Sequence, residues 1–257
     1  MNKQLWSYSR LSSFSSCPYG WYLHYIEQEP EEDNWYAVHG SLVHEILEAI
    51  ANKEMSLDEA SMYYADHYDD NLEYISEKIK DSTYEKCSDF FATYDFNYLK
   101  DNEVVGAEVH LPFTIGDSDF HCYIDLLLKN KDGEYIIFDY KSSAYPFKKN
   151  GKDLLKSQEN IFQDHKRQLY LYAEAVKQNY GKYPIELSWL HFKDSKVASI
   201  PFDMQNLEET VNWAKKNIEE ITKEEEFPPN LNNFIMCNSL CGYRHSCLYK
   251  EFEDEDE

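Results

Sequence analysis

The sequence predicts an α/β fold, a mixed β-sheet flanked by helices with a helical lobe inserted ahead of the sheet. Three observations predict it. Residues 57–100 hold a helical, aromatic pattern poor in β-branched residues, three β-rich runs follow between Val104 and Ser142, and a strongly amphipathic stretch over Ile161–Asn179 separates these from two more β-rich runs. Strands interleaved with helices bury one sheet face or both against helical layers.

Each element has its own signal. Ser residues before Cys17-Pro18 supply caps of the Ser and Thr type for a short helix, and Trp21, Tyr22 and Tyr25 follow as an aromatic run. After an acidic loop, Val38–Asn52 reads as a helix, with Val43, Ile46, Leu47 and Ile50 on one stripe and His44 at its edge. Residues 57–100 divide into two or three helices. Val104–Ile115, Phe120–Leu128 and Tyr135–Ser142 read as strands punctuated by Gly-Asp and by Asp132-Gly133, the latter a hairpin turn signal. Ile185–Phe192 and Val197–Phe202 form another strand pair, and Leu207, Val211, Ala214, Ile218 and Ile221 mark a last helix at 3.6 spacing.

At 257 residues the chain suits one domain with embellishments: a lobe over about 53–101, a core over about 102–203, a C-terminal helix and cysteine cluster over about 204–250, and an acidic tail over 251–257. Apolar residues at 42% and charged residues at 28% are ordinary for a globular protein, and no apolar run is long enough to span a bilayer. Without a secretory h-region at the start, the expected location is the cytoplasm. The formal charge of −23 argues against nonspecific coating of nucleic acid, which draws on Lys and Arg. Much of the excess is concentrated in Glu27 to Asp33, Glu224 to Glu226 and the tail, whereas Lys141 to Arg167 carries seven basic residues against three acidic ones. Any face for DNA is therefore expected there, at Lys148, Lys149, Lys152 and Lys156.

The chemistry gathers on one predicted hairpin. A turn at Asp132-Gly133 sets Asp125 and Asp139 nearly opposite each other, where Cβ atoms approach to about 5 Å. Two carboxylates facing each other within apolar strands are destabilising unless a cation lies between them, and a divalent metal is the natural candidate. Lys141, two residues beyond Asp139, shares its face by period-two alternation and reaches the same centre. A hard cation that activates water, with an ammonium beside it, is what phosphodiester hydrolysis needs.

Gly40-Ser-Leu-Val-His44, Asp125, Asp139-Tyr-Lys141 and Gln168-Leu-Tyr-Leu-Tyr172 occur in that order. The set resembles the PD-(D/E)XK superfamily, specifically its RecB-type and CRISPR-adaptation-type nucleases. The resemblance implies a restriction-endonuclease-like fold and a Mg²⁺ or Mn²⁺ ion held by His44, Asp125, Asp139 and the Tyr140 carbonyl, with Glu108 as a weaker addition. It also implies Lys141 as the catalytic lysine, and Gln168 and Tyr172 as residues that position the lysine or contact DNA.

Cys237, Cys241 and Cys247 cluster near the C-terminus, and Cys17 lies far upstream. Four thiolates suffice for a tetrahedral Zn²⁺ or a [4Fe–4S] cluster, and the residues themselves do not choose. The resemblance favours [4Fe–4S], acting as a staple between the chain ends, although the three-residue gap between Cys237 and Cys241 departs from the family's usual two. Cys87 and Cys122 are read as packing residues. The expected function is a metal-dependent deoxyribonuclease, an exonuclease on single strands or DNA ends that leaves a 5′-phosphate, in replication, recombination, repair or defence. Its acidity suggests a DNA-loading protein partner. The rival expectation is a catalytically silent module of the same fold that binds a protein through its acidic surface.

Overall fold

Capping chemistry fixes where the helices begin. In the computed structural model, which describes residues 4–32, 34–68, 75–151, 153–232 and 236–249, the chain opens with a two-residue strand β1 (Leu5–Trp6). The Ser7 side chain accepts the Arg10 N–H and starts α1 (Tyr8–Ser16). Pro18 sits in the first turn of α2 (Pro18–Tyr22), where its missing donor costs nothing, and the Cys17 sulfur accepts the Gly20 N–H. A π-helical turn, Leu23–Glu27, ends at Gln28 in the left-handed region. Asn34 caps α3 (Trp35–Ala51), and a Ser56–Glu59 capping box starts α4 (Leu57–His67). Helices α5 (Glu77–Thr93) and α6 (Asn97–Asp101) complete the lobe. Asp33, residues 69–74, Lys152 and the tail 251–257 fall outside the described residues.

Strands β2 (Glu103–Ile115), β3 (Ser118–Lys129) and β4 (Tyr135–Lys141) form an antiparallel meander. Asn130 closes the second turn by accepting the Asp132 and Glu134 N–H groups, and Gly133 takes the positive φ that the turn requires. Helix α7 (Glu159–Tyr180) then crosses over, so that β5 (Glu186–His191) pairs parallel with β4; β6 (Lys196–Pro201) pairs antiparallel with β5, and α8 (Met204–Lys223) follows. The six strands form one mixed sheet in the order β1-β3-β4-β5-β6, with β2 also on β3. Mixed pairing is what a helical crossover between β4 and β5 dictates.

Each sheet face carries its own core. Trp6, Leu11 and Phe14 join Ile124, Ile137, Leu169, Ala173, Trp189, Leu207 and Ile221 on the side of α1, α7 and α8. Val43, Ile46 and Leu47 join Tyr64, Phe90, Phe91, Leu126, Phe138 and Phe192 on the side of α3, α4 and α5. The lobe is thus continuous with the layer that α3 begins. Cys122 is buried in the first core and Cys87 in the second. Among the described residues no helix is long and apolar enough to cross a membrane.

Candidate active site

Strands β3 and β4 pair only as far as Leu126↔Phe138, and one step further out Asp125 stands opposite Asp139. Beyond that point β4 stays with β5, through Lys141↔His191, and parts from β3. The Tyr140 N–H, freed from the β3 ladder, donates instead to Asp125 Oδ2 at 2.6 Å. A fork between strands therefore places two carboxylates where backbone donors and side chains from both layers can reach them. Both are buried, Asp139 at 2% exposure.

Helix α3 brings His44 to the fork from one layer. Its Nε2 lies 3.1 Å from the Tyr140 carbonyl and its Nδ1 3.7 Å from Asp125 Oδ2. Gly40 lies one turn earlier on the same helix and lines the same cleft, and a Cβ placed there would meet no atom within 4 Å. Helix α7 approaches from the other layer. Lys141 Nζ donates to Gln168 Oε1 at 2.8 Å, and Gln168 Nε2 donates to the Tyr172 hydroxyl at 2.9 Å. Lys141 Nζ also lies 2.6 Å from Asp139 Oδ2, an ion pair without the angles of a directed hydrogen bond, so this oxygen keeps unused acceptor capacity.

Glu108 on β2 has φ +48°, in the left-handed region that a residue with a Cβ enters at a cost, and the pairing of β2 with β3 is irregular just before it, between Val104 and Gly106. This backbone turns the Glu108 carboxylate inward. Ligand atoms of His44, Glu108 and Asp125 all lie within 4.8 Å of one another, and among the described residues no other His, Cys, Asp and Glu set comes together so closely. The cleft above them, about 620 Å³, is lined by Glu45, Glu48 and His165 as well.

Burial shapes the charge states here. It pushes the Asp125 carboxyl well up, the Asp139 charge adds to this, and the Tyr140 N–H opposes it. Glu108 is raised by burial and then by Glu48 and Asp139. His44 is lowered chiefly by burial, which keeps the imidazole neutral and able to ligate. Without a cation the carboxylates repel one another, and a divalent ion reverses that balance.

A profile of the PD-(D/E)XK nuclease superfamily matches residues 5–248. The chain belongs to this superfamily. As a PD-(D/E)XK protein it is similar in fold to a solved structure of a candidate exonuclease from Eubacterium rectale, with a TM-score of 0.60, 16% identity, and coverage of 97% of this chain and 91% of that one. A second solved structure, SSO0001, is also 16% identical, covers 93% of this chain and 92% of that one, and has a TM-score of only 0.31. Comparison with curated proteins finds no match. Nucleases of this superfamily use divalent metals, and the donor set fits one: the imidazole of His44 and the carboxylates of Glu108 and Asp125 are ligands that a hard or borderline cation takes, while Asp139 falls outside this closest set.

All the expected centre residues, His44, Glu108, Asp125, Asp139, Tyr140 and Lys141, meet at the fork, and Gln168 and Tyr172 back the lysine. The described lysines among those expected to face DNA lie apart from this centre. Lys148 and Lys149 are exposed on the loop closed by the Phe147↔Leu154 bridge, Lys156 is in a 3₁₀ turn before α7, and Lys152 lies outside the described residues. None of the three described lysines lines this cleft. Glu48 and His165 were missed by the sequence reading. Their signal was helical spacing, since Glu48 is four residues after His44 and His165 three before Gln168.

Cys17, Cys237, Cys241 and Cys247 all line one small cavity of about 40 Å³ far along the chain from this centre. The Cys241 thiol is raised by burial, opposed by the Tyr243 N–H and then raised further by Cys17, Cys247 and Cys237. Such a convergence fits a thiolate-bound metal group.

Proposed function

We propose that this PD-(D/E)XK protein is a Mg²⁺- or Mn²⁺-dependent deoxyribonuclease of the RecB-like kind, acting as an exonuclease on single strands or DNA ends. The observation that carries the reading is the fork itself, with Asp125, Glu108 and His44 converging while Lys141 is held between Asp139, opposite Asp125, and Gln168. Asp125, Asp139, Glu108, His44 and the Tyr140 carbonyl would hold the metal. When bound, the metal supplies charge for the phosphate oxygens and lowers the pKa of water. Lys141 then orients the attacking water or steadies charge on the phosphorane, fixed by the Gln168 amide, which Tyr172 anchors in turn. On this reading Lys148, Lys149 and Lys152 guide DNA toward the cleft.

The four thiols would hold a [4Fe–4S] cluster, with Zn²⁺ as the alternative, tying the two chain ends within a single nuclease domain. Absorption near 400 nm separates the two. A cytoplasmic role in replication, recombination, repair or defence, with a loading partner that delivers DNA, accords with the acidic surface. The −23 charge favours a second reading, a silent binding module, but such a module has no need of an intact lysine between carboxylate and amide.

End-labelled single- and double-stranded DNA, incubated with anaerobically purified protein in Mg²⁺ or Mn²⁺, tests this. Metal-dependent cleavage that falls at least about 100-fold in both Asp139→Ala and Lys141→Ala is expected. No cleavage by the cluster-replete protein on any substrate would transfer the assignment to the binding module.

A further inference from the structure

Ser142, the residue after Lys141, lines two clefts of opposite character. One is the candidate metal cleft, with Glu45, Glu48 and Glu108 in its wall. The other, about 520 Å³, lies between α5 and the segments that follow β4 and β5, and its charged lining is Lys78, Lys86, Lys193 and Asp194. The single carboxylate there is engaged, because Asp194 Oδ2 accepts the Tyr145 N–H at 2.7 Å. Three ammonium groups thus share a cleft with one committed acid, in a chain with nearly twice as many acidic as basic residues. Lys193 is partly desolvated, and burial lowers its pKa; the Lys86 charge adds to this, while Cys87 and Asp194 oppose it. A wall of this charge is complementary to a polyanion. Ser82 and Thr83 add hydroxyl donors to the same wall.

We infer that this second cleft binds the phosphate backbone of the single nucleic-acid strand being cut, immediately beside the reacting phosphate, through Lys78, Lys86 and Lys193. The inference rests on the nuclease reading above. Consecutive Cα atoms are about 3.8 Å apart, so the cleft that these lysines line begins at Ser142, one residue from the lysine at the centre, and a strand leaving the reacting phosphate enters it directly. A positively charged groove beside a metal site is how a single strand is tracked without regard to sequence. The acidic cleft takes the cation and the basic cleft takes the phosphates. A protein with net charge −23 can then bind DNA by focusing positive potential locally.

The test uses the full chain with Asp139→Ala in every binding sample, so that bound DNA is not cut, and a fluorescein-labelled oligodeoxythymidine as the probe. Lys78→Glu with Lys86→Glu should weaken binding by at least about tenfold at moderate salt, and should flatten the plot of log Kd against log salt by about 1.4, the share of two phosphate contacts on a single strand. Lys215→Glu with Lys216→Glu on α8 changes net charge equally, away from both clefts, and should shift Kd less than twofold. If the charge-reversed pair does not fold, Lys78→Ala with Lys86→Ala is read in the same way. A cleft pair that binds no worse than the α8 pair, in a protein whose wild type cuts DNA, overturns the inference and leaves the nuclease reading standing. A wild type that neither binds nor cuts overturns both.

Discussion

Asp125 faces Asp139 inside the protein, and the Tyr140 N–H and the Lys141 charge only partly offset its burial and the neighbouring carboxylate, so its charged form is disfavoured without a further cation. Asp125→Asn should therefore raise the melting temperature in a chelator. On the proposed metal binding, Mg²⁺ at a hundred times Kd should stabilise the wild type by about 2.7 kcal/mol, or roughly 5–10 °C, and the variant should lose that gain. Calorimetry of both proteins with and without Mg²⁺ checks this, and a wild type indifferent to the ion would count against the cage. A second residue sets a pH dependence away from the cage. His39 is buried against Trp35, Tyr64 and Tyr68, its Nε2 3.0 Å from the Tyr64 hydroxyl, and burial lowers its pKa to about 4. The unfolded chain takes up this proton near pH 6.5 and the folded chain does not. Stability from His39 is therefore present above pH 6.5 and lost as pH falls toward 4, by roughly 2–3 kcal/mol. Urea unfolding at pH 7 and pH 5 should show a smaller loss in His39→Phe. Asp125, Asp139 and Lys141 were legible as a set because the hairpin turn is written in Asp132-Gly133. Glu108 was legible only by resemblance, since nothing in its neighbours announces a positive φ.

Helix α3 joins two demands at the level of an element. Its apolar stripe of Val43, Ile46, Leu47 and Ile50 packs into the core, while Gly40, His44, Glu45 and Glu48 line the cleft. A glycine in mid-helix is unfavourable by about 1 kcal/mol relative to alanine, and here the missing side chain leaves open space over the centre. Gly40→Ala should stabilise the protein by roughly 0.5–1 kcal/mol and lower the turnover of DNA by narrowing the cleft. A variant more stable and equally active would show that the space is not used. The long elements were legible because each repeats its period several times, as α7, α8, β2 and β3 do. The strand β1 was not, for two residues cannot display a period, and its existence depends on a parallel partner at Asp119 and Phe120. The parting of β3 from β4 was likewise invisible, because pairing is decided by which neighbour each backbone group finds.

Across the whole molecule, the N-terminal acidic loop and the C-terminal cysteine segment hold each other. The Glu32 N–H donates to the Gly242 carbonyl at 2.8 Å, and a Cβ at residue 242 would press within 2.9 Å of Glu31. Arg244, 7% exposed, reaches Glu32 at 3.0 Å, and His245 meets the same carboxylate at 2.7 Å. Part of the acidity of this loop is thus internally neutralised. Arg244→Ala removes one of the two basic partners of the half-exposed Glu32 and a donor from the Cys241 carbonyl, so it should cost about 1–2 kcal/mol and, if the thiols hold the metal group proposed for them, hasten its loss. Denaturant melts, with absorbance followed in parallel, measure both, and unchanged metal retention would separate the clasp from the cysteines. The sequence by itself determined the order of helices and strands, the facing of Asp125 and Asp139 with Lys141 beside them, and the helical faces that carry His44 and Gln168, because periodicity and turn chemistry are local. Only the tertiary structure decided that α3 and α7 meet at one fork from opposite layers, that Glu108 turns inward, that Lys78, Lys86 and Lys193 gather beside Ser142, and that Cys17 joins thiols more than two hundred residues away. Those contacts join residues distant in the chain, and no local pattern encodes the packing that brings them together.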